Sequence, residues 1–244
     1  MLVVLLGAAS ADAYLGLAAM RAGRSPVPYR TRALCTRGAA KVTMEANAGS
    51  GPRLGLQQLL DFERKGHIKL QDMLPSPEDA DRMHLAVSRE YMRRRKEAYV
   101  QKVRLFAAED EDDDLYQQAL QCKSESEARG LLEAWCNENE VPVPFLQVFN
   151  VHRDSTEDAR TIHAFATSTR MGHTAAALLG VPSVRLYQTS VFMKERGHGE
   201  TSWHADLATS PFDSNHMITC WIALTPIETE VGPERASTRG QECT

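Results

Sequence analysis

Thr201-Ser202-Trp203-His204-Ala205-Asp206-Leu207-Ala208-Thr209-Ser210-Pro211 is the stretch on which the reading of this chain turns. Along an extended backbone side chains repeat with a period of two, so His204 and Asp206 would fall on one face, imidazole beside carboxylate. Those two groups are two of the three ligands of the 2-His-1-carboxylate triad, which grips non-haem Fe(II) from one side and leaves the other open. His-x-Asp alone recurs by chance in many chains. Its setting decides what it means.

Just upstream, Val184-Arg185-Leu186-Tyr187-Gln188-Thr189-Ser190-Val191-Phe192-Met193 is β-branched and aromatic and predicts a strand, followed by a charged loop from Lys194 to Glu200. Downstream, Met217-Ile218-Thr219-Cys220-Trp221-Ile222-Ala223-Leu224 is apolar nearly throughout and predicts a strand buried on both faces. The earlier chain has a helical texture. Leu56, Leu59, Leu60 and Glu63 predict a short helix that Gly66 ends, and His67-Ile68-Lys69-Leu70 then alternates like a strand. Ser76 is placed to cap a long helix with Pro77 in its first position and Glu78 and Asp79 in its first turn. Met83, Val87 and Tyr91 share one side of it, while Arg89, Arg93, Arg94, Arg95 and Lys96 read as a solvated surface. Ser124 with Glu127 forms a capping box before a helix carrying Ala128, Leu131, Leu132 and Trp135. Leu146 to Asn150 reads as a strand, Ser155 as the cap of a helix, and a further helix runs from about Met171 to Leu179 and stops at Gly180. Helices first and strands second give an α+β fold, a helical layer against a β-sandwich or jelly roll.

With 244 residues, 43% hydrophobic and 25% charged, the chain has room for one catalytic domain with a real core. A formal net charge of −4 argues against a broad phosphate-binding surface, so nucleic acid is not an expected partner. Cys35, Cys122, Cys136, Cys220 and Cys243 make no CxxC pair and no zinc-like spacing; they read as small buried apolar residues in a reducing compartment. The acidic run Glu109 to Asp114 lacks the spaced ligands and glycine of a calcium loop and reads as a solvated loop. His152, His163 and His173 show no metal-like spacing and read as ordinary satisfied or solvated histidines.

The N-terminus has a different texture. The apolar run Leu2-Val3-Val4-Leu5-Leu6 is followed by small residues in an A-x-A arrangement, and it is too short to span a bilayer. Residues 14–44 then carry Arg21, Arg24, Arg30, Arg32, Arg37 and Lys41 and no acid, which matches an organelle transit segment. The two in series predict a bipartite targeting presequence over residues 1–44, with a plastid as the first destination and mitochondrial or secretory routing as alternatives. Residues 1–44 hold those six bases and one acid, Asp12, so the remainder sits near −9. Residues 45–53 read as linker, with the domain proper starting at Leu54.

Taken together, Lys194, Trp203-His204-x-Asp206, Pro211-Phe212, Trp221-Ile222-Ala223-Leu224-Thr225 and Val231-Gly232-Pro233 resemble the phytanoyl-CoA dioxygenase family of Fe(II)/2-oxoglutarate oxygenases. Phe62 to Leu70, Leu74-Pro75-Ser76-Pro77-Glu78 and Leu178-Leu179-Gly180 extend the resemblance over about residues 56–233. It implies a double-stranded β-helix, cupin-like, with a flanking helical layer. His204 and Asp206 would be iron ligands, Trp221 would line the 2-oxoglutarate pocket, and Ser190 would approach that co-substrate. Trp221 is equally readable as core, and Lys194 matches the family without a catalytic role. Fe(II) with 2-oxoglutarate as co-substrate implies O2-dependent hydroxylation of a small or lipid-like organic substrate. No catalytic group beyond the metal ligands is implied.

Departing from the family, the chain lacks what should follow Gly232-Pro233. The family pattern has an apolar strand, a Pro-Gly-Ser-His turn with the distal iron histidine, then a Ser and an Arg for the far carboxylate of 2-oxoglutarate. Here Glu234 to Thr244 has no strand pattern and no histidine, and neither His198 nor His216 occupies the distal position. The expectation is therefore a partial oxygenase domain over 54–233 with a non-family tail at 234–244, incomplete at the C-terminus and inactive as this chain. The alternatives are a non-catalytic binding or scaffold protein retaining the fold, or a cupin-like enzyme using another metal.

Overall fold

The structure, a computed structural model, describes residues 2–8, 54–109, 113–193, 195, 198, 206 and 216–226. In chain order its elements are β1 (Leu2–Ala8), α1 (Leu56–Lys65), α2 (Pro77–Glu109), α3 (Asp113–Gln121), α4 (Glu125–Glu138) and β2 (Leu146–Phe149). A 3-10 turn (Val151–Arg153) then leads to α5 (Glu157–Ala166), α6 (Thr169–Leu179), β3 (Val184–Met193) and β4 (Met217–Ile222).

Local chemistry sets most of these boundaries. Gly66 ends α1 in the left-handed region at φ 81, its N–H bonded to the Phe62 carbonyl, and Gly180 ends α6 at φ 66. Only glycine adopts that conformation without Cβ strain. Ser76 Oγ accepts the Asp79 N–H at 3.1 Å, so α2 begins where its cap and Pro77 place it. Ser124 Oγ accepts from the Glu127 N–H at 3.2 Å, whereas the Glu127 carboxylate takes the Lys123 N–H at 2.7 Å. The box thus closes one residue earlier than its sequence pattern suggests. Likewise the cap of α5 is Thr156, not Ser155, its Oγ1 accepting from the Ala159 N–H at 3.0 Å.

α2 is the spine of the core. Met83, Val87, Tyr91, Ala98, Tyr99 and Val103 line its inward side and are all buried, repeating near the helical period. α4, α5 and β2 pack against it. The sheet is antiparallel with strand order β2-β3-β1-β4. Val148, Val191, Val4, Leu6, Ile218 and Ile222 alternate onto the helix-facing side and join a single core with the α2 residues. Burial of each such aliphatic side chain contributes roughly 1.5–3 kcal/mol.

Three expectations are corrected. His67 to Leu70 is irregular rather than strand, without sheet pairing among the described residues. β4 buries only Ile218 and Ile222, because one of its faces meets the helices and the other does not. Arg89 and Arg93 on α2 are solvated as expected, at 66% and 48% side-chain exposure, but Arg94 and Arg95 are not: they are only 15% and 11% exposed and each is held by acids. Leu2–Ala8 is an interior strand of the sheet, paired on both sides. The remainder of residues 1–53, the acids 110–112 and residues 227–244 lie outside the described residues. The described part is mixed helix and sheet, and its one sheet is open. No helix among the described residues is long and apolar enough to cross a membrane.

Candidate metal and co-substrate site

Antiparallel register brings two of the sequence-predicted residues together. Ser190 on β3 and Trp221 on β4 both lie opposite Val3 of β1, so the three positions form one rung across the sheet. Directly opposed residues share a face, and this is the face away from the helical core. Phe192, two residues beyond Ser190, projects to the same side and stacks on Trp221 with ring centroids 5.7 Å apart and 17° between planes. Phe145 closes on Phe192 at 5.6 Å, and the Lys102 ammonium sits 5.3 Å above the Phe145 ring. The result is an aromatic row leading from α2 to Trp221. Burial holds the Lys102 amine below the usual lysine range.

Ser190 is 5% exposed, and its Oγ has no hydrogen-bond partner among the described residues. A buried hydroxyl left unmatched costs on the order of 1–3 kcal/mol unless something else bonds it. It is a polar point set in an apolar wall. On the opposite side of the strand Thr189 is satisfied: its Oγ1 shares a hydrogen bond of 2.7 Å with His152 Nδ1. Burial lowers His152 to about 4, with Arg153 and His163 adding to the effect. His152 is thus a neutral core histidine, as expected of an ordinary one. Its ring lies 5.9 Å from that of His163.

Asp206 falls between β3 and β4, half-buried, in a single 3-10 position. His204 and Lys194 lie outside the described residues. Among the described residues no group of three or more His, Cys, Asp or Glu side chains is arranged to hold a metal.

Sequence reasoning missed what anchors the start of this loop. Arg95 Nη2 reaches Glu195 Oε1 at 2.9 Å while Arg95 Nε lies 3.1 Å from Glu125 Oε1. Its guanidinium also lies over the rings of Tyr91 and Tyr99, at 5.7 and 5.9 Å. Burial, reinforced by Glu195, raises the Tyr91 phenol above the ordinary tyrosine range. Glu195 in turn closes a tight turn with His198: its N–H donates to His198 Nδ1 at 3.2 Å and its carbonyl accepts the His198 N–H at 3.2 Å. The signal for Phe192 was present in the sequence as the period-two neighbour of Ser190; the partnership of Arg95 with Glu195 was not, being a contact between residues one hundred positions apart.

Compared with known families, residues 62–237 match the sequence profile of phytanoyl-CoA dioxygenase (PhyH). No curated protein and no solved structure matches the chain.

Proposed function

The chain belongs to the phytanoyl-CoA dioxygenase family, and from that premise we propose that it is an Fe(II)/2-oxoglutarate-dependent oxygenase fold directed at a small or lipid-like organic substrate. Membership supports oxygenase chemistry of this kind in general. The observation that carries the finer reading is the buried, unmatched Ser190 hydroxyl on the same sheet face as Trp221 and Phe192.

The residues present suit the group in part. Asp206 offers a carboxylate from the loop that also carries His204, and these two would hold Fe(II). Bound iron with 2-oxoglutarate supplies oxidative decarboxylation coupled to hydroxylation of an unactivated C–H bond. The protein's own tasks are different. Ser190 Oγ, without a hydrogen-bond partner among the described residues, would donate to a carboxylate oxygen of the co-substrate, and Trp221 with Phe192 would form an apolar wall that excludes water and accepts hydrocarbon. Arg95 fixes the root of the ligand-bearing loop through Glu195 and so acts as a positioning residue. With two protein ligands assigned, His204 and Asp206, we place this chain among weak iron binders with little turnover.

Succinate formed from 2-oxoglutarate by the full chain with Fe(II) tests the reading. The expected result is a slow, iron-dependent rate that disappears in His204→Ala and in Asp206→Ala. A rate that persists in both variants would remove the metal assignment, and brisk turnover would show that a further ligand completes the site. A non-catalytic scaffold would show neither iron dependence nor co-substrate binding.

A further inference from the structure

β3 and β4 do not pair with each other; β1 lies between them and is antiparallel to both. Every residue from Leu2 to Ala8 has a partner on β3, and Leu2 to Gly7 have partners on β4. Residues 9–53 separate this strand from the first position of the body, so the segment filling the middle of the sheet comes from far away in the chain. Without it, two rows of backbone N–H and C=O groups would face each other across a gap one strand wide, each needing a partner. Only an extended chain satisfies both rows at once.

The two described side chains of β1 show what the gap accepts. Val4 and Leu6 are 0% and 2% exposed and enter the helix-facing core beside Val191, Ile218 and Ile222. Their spacing of two is that of a strand reading one face. Thr189 and Cys220 stand opposite Val4, and burial pushes the Cys220 thiol up to about 12, so this wall presents no charge to the incoming segment. Between Leu5 and Leu6 the register slips and β3 carries one extra residue, Tyr187, a bulge that fixes the alignment. The whole segment, Leu2-Val3-Val4-Leu5-Leu6-Gly7-Ala8, is uncharged.

We propose that β3 and β4 frame a strand-acceptor site for an uncharged aliphatic peptide, and that Leu2–Ala8 is its ligand in cis, held by pairing and burial rather than by chain continuity. Because Val3 sits between Ser190 and Trp221, occupancy also sets the spacing of those two residues. Removal of residues 1–44 as a targeting presequence would vacate the site and open it to another strand of the same chemistry.

The experiment uses the full chain with one protease site introduced within residues 9–53, cut only after folding. The expected result is that the N-terminal piece stays with the body through native gel filtration. A labelled synthetic peptide spanning residues 1–8 then replaces it, while the same peptide with Val4→Asp and Leu6→Asp binds weaker by more than about a hundredfold. Backbone amides of Ser190 and Cys220, which face β1, remain protected throughout. Loss of the cut piece with those amides still protected would overturn the proposal, as would a retained piece that no labelled peptide replaces. Neither outcome depends on iron or 2-oxoglutarate, so failure here is separable from failure of the oxygenase reading.

Discussion

His152 shows how a residue of little chemical promise shapes behaviour. Its folded-state value of about 4 lies below the ordinary 6.5, so as pH falls the unfolded chain takes up the proton first. Stability contributed by neutral His152 is therefore intact above about 6.5, is lost as pH falls from there to about 4, and changes no further below. The loss should be about 3 kcal/mol. Urea midpoints measured near neutral pH and near pH 4 check this, and His152→Gln should flatten the difference. Arg95 is the second informative residue. Arg95→Met removes two ion pairs and two ring contacts but leaves Glu125 and Glu195 with access to water, so the expected cost is about 1–2 kcal/mol. Arg95→Lys should not restore it, since a point charge cannot serve two carboxylates and two rings in one plane. Thermal unfolding of both variants decides the matter.

At the scale of elements, the helix caps make a matched pair. Ser124 Oγ caps α4 on an exposed surface and makes no other side-chain hydrogen bond among the described residues, so Ser124→Ala should cost about 1 kcal/mol. Thr156 caps α5 and also donates to the carboxylate of Glu90, which is 1% exposed and paired with Arg93 at 2.5 Å. Thr156→Ala should cost roughly 2–3 kcal/mol because it withdraws a partner from a buried charge, whereas Thr156→Ser should be nearly neutral. Chemical denaturation of the three variants orders them. Such caps, the glycine stops and the extent of β3 were legible in the sequence, because each is set by residues within one or two turns of one another. The burial of Arg94 and Arg95 was not, since acids at Asp154, Glu125 and Glu195 reach them from other elements. The fate of Leu2–Ala8 was equally hidden: a short uncharged apolar run reads the same whether it addresses an organelle or fills a sheet. Its pairing with β3 and β4 is a long-range fact.

For the molecule as a whole, one helical layer built on α2 covers one face of an open sheet, and the other face carries Ser190, Phe192 and Trp221. In sequence His204 and Asp206 lie between β3 and β4, so the two residues we propose as metal ligands fall between the strands that carry Ser190 and Trp221. Ser190 and Trp221 were found from family resemblance, but their meeting on one rung is a property of register. A site assembled in this way is sensitive to the sheet's central strand. The most direct measurement is anaerobic equilibrium dialysis of Fe(II) against the full chain and two variants. One weakly bound iron per chain, abolished by Asp206→Ala and untouched by His216→Ala, is the predicted result. Iron binding that survives Asp206→Ala, or that vanishes with His216→Ala, would contradict the account.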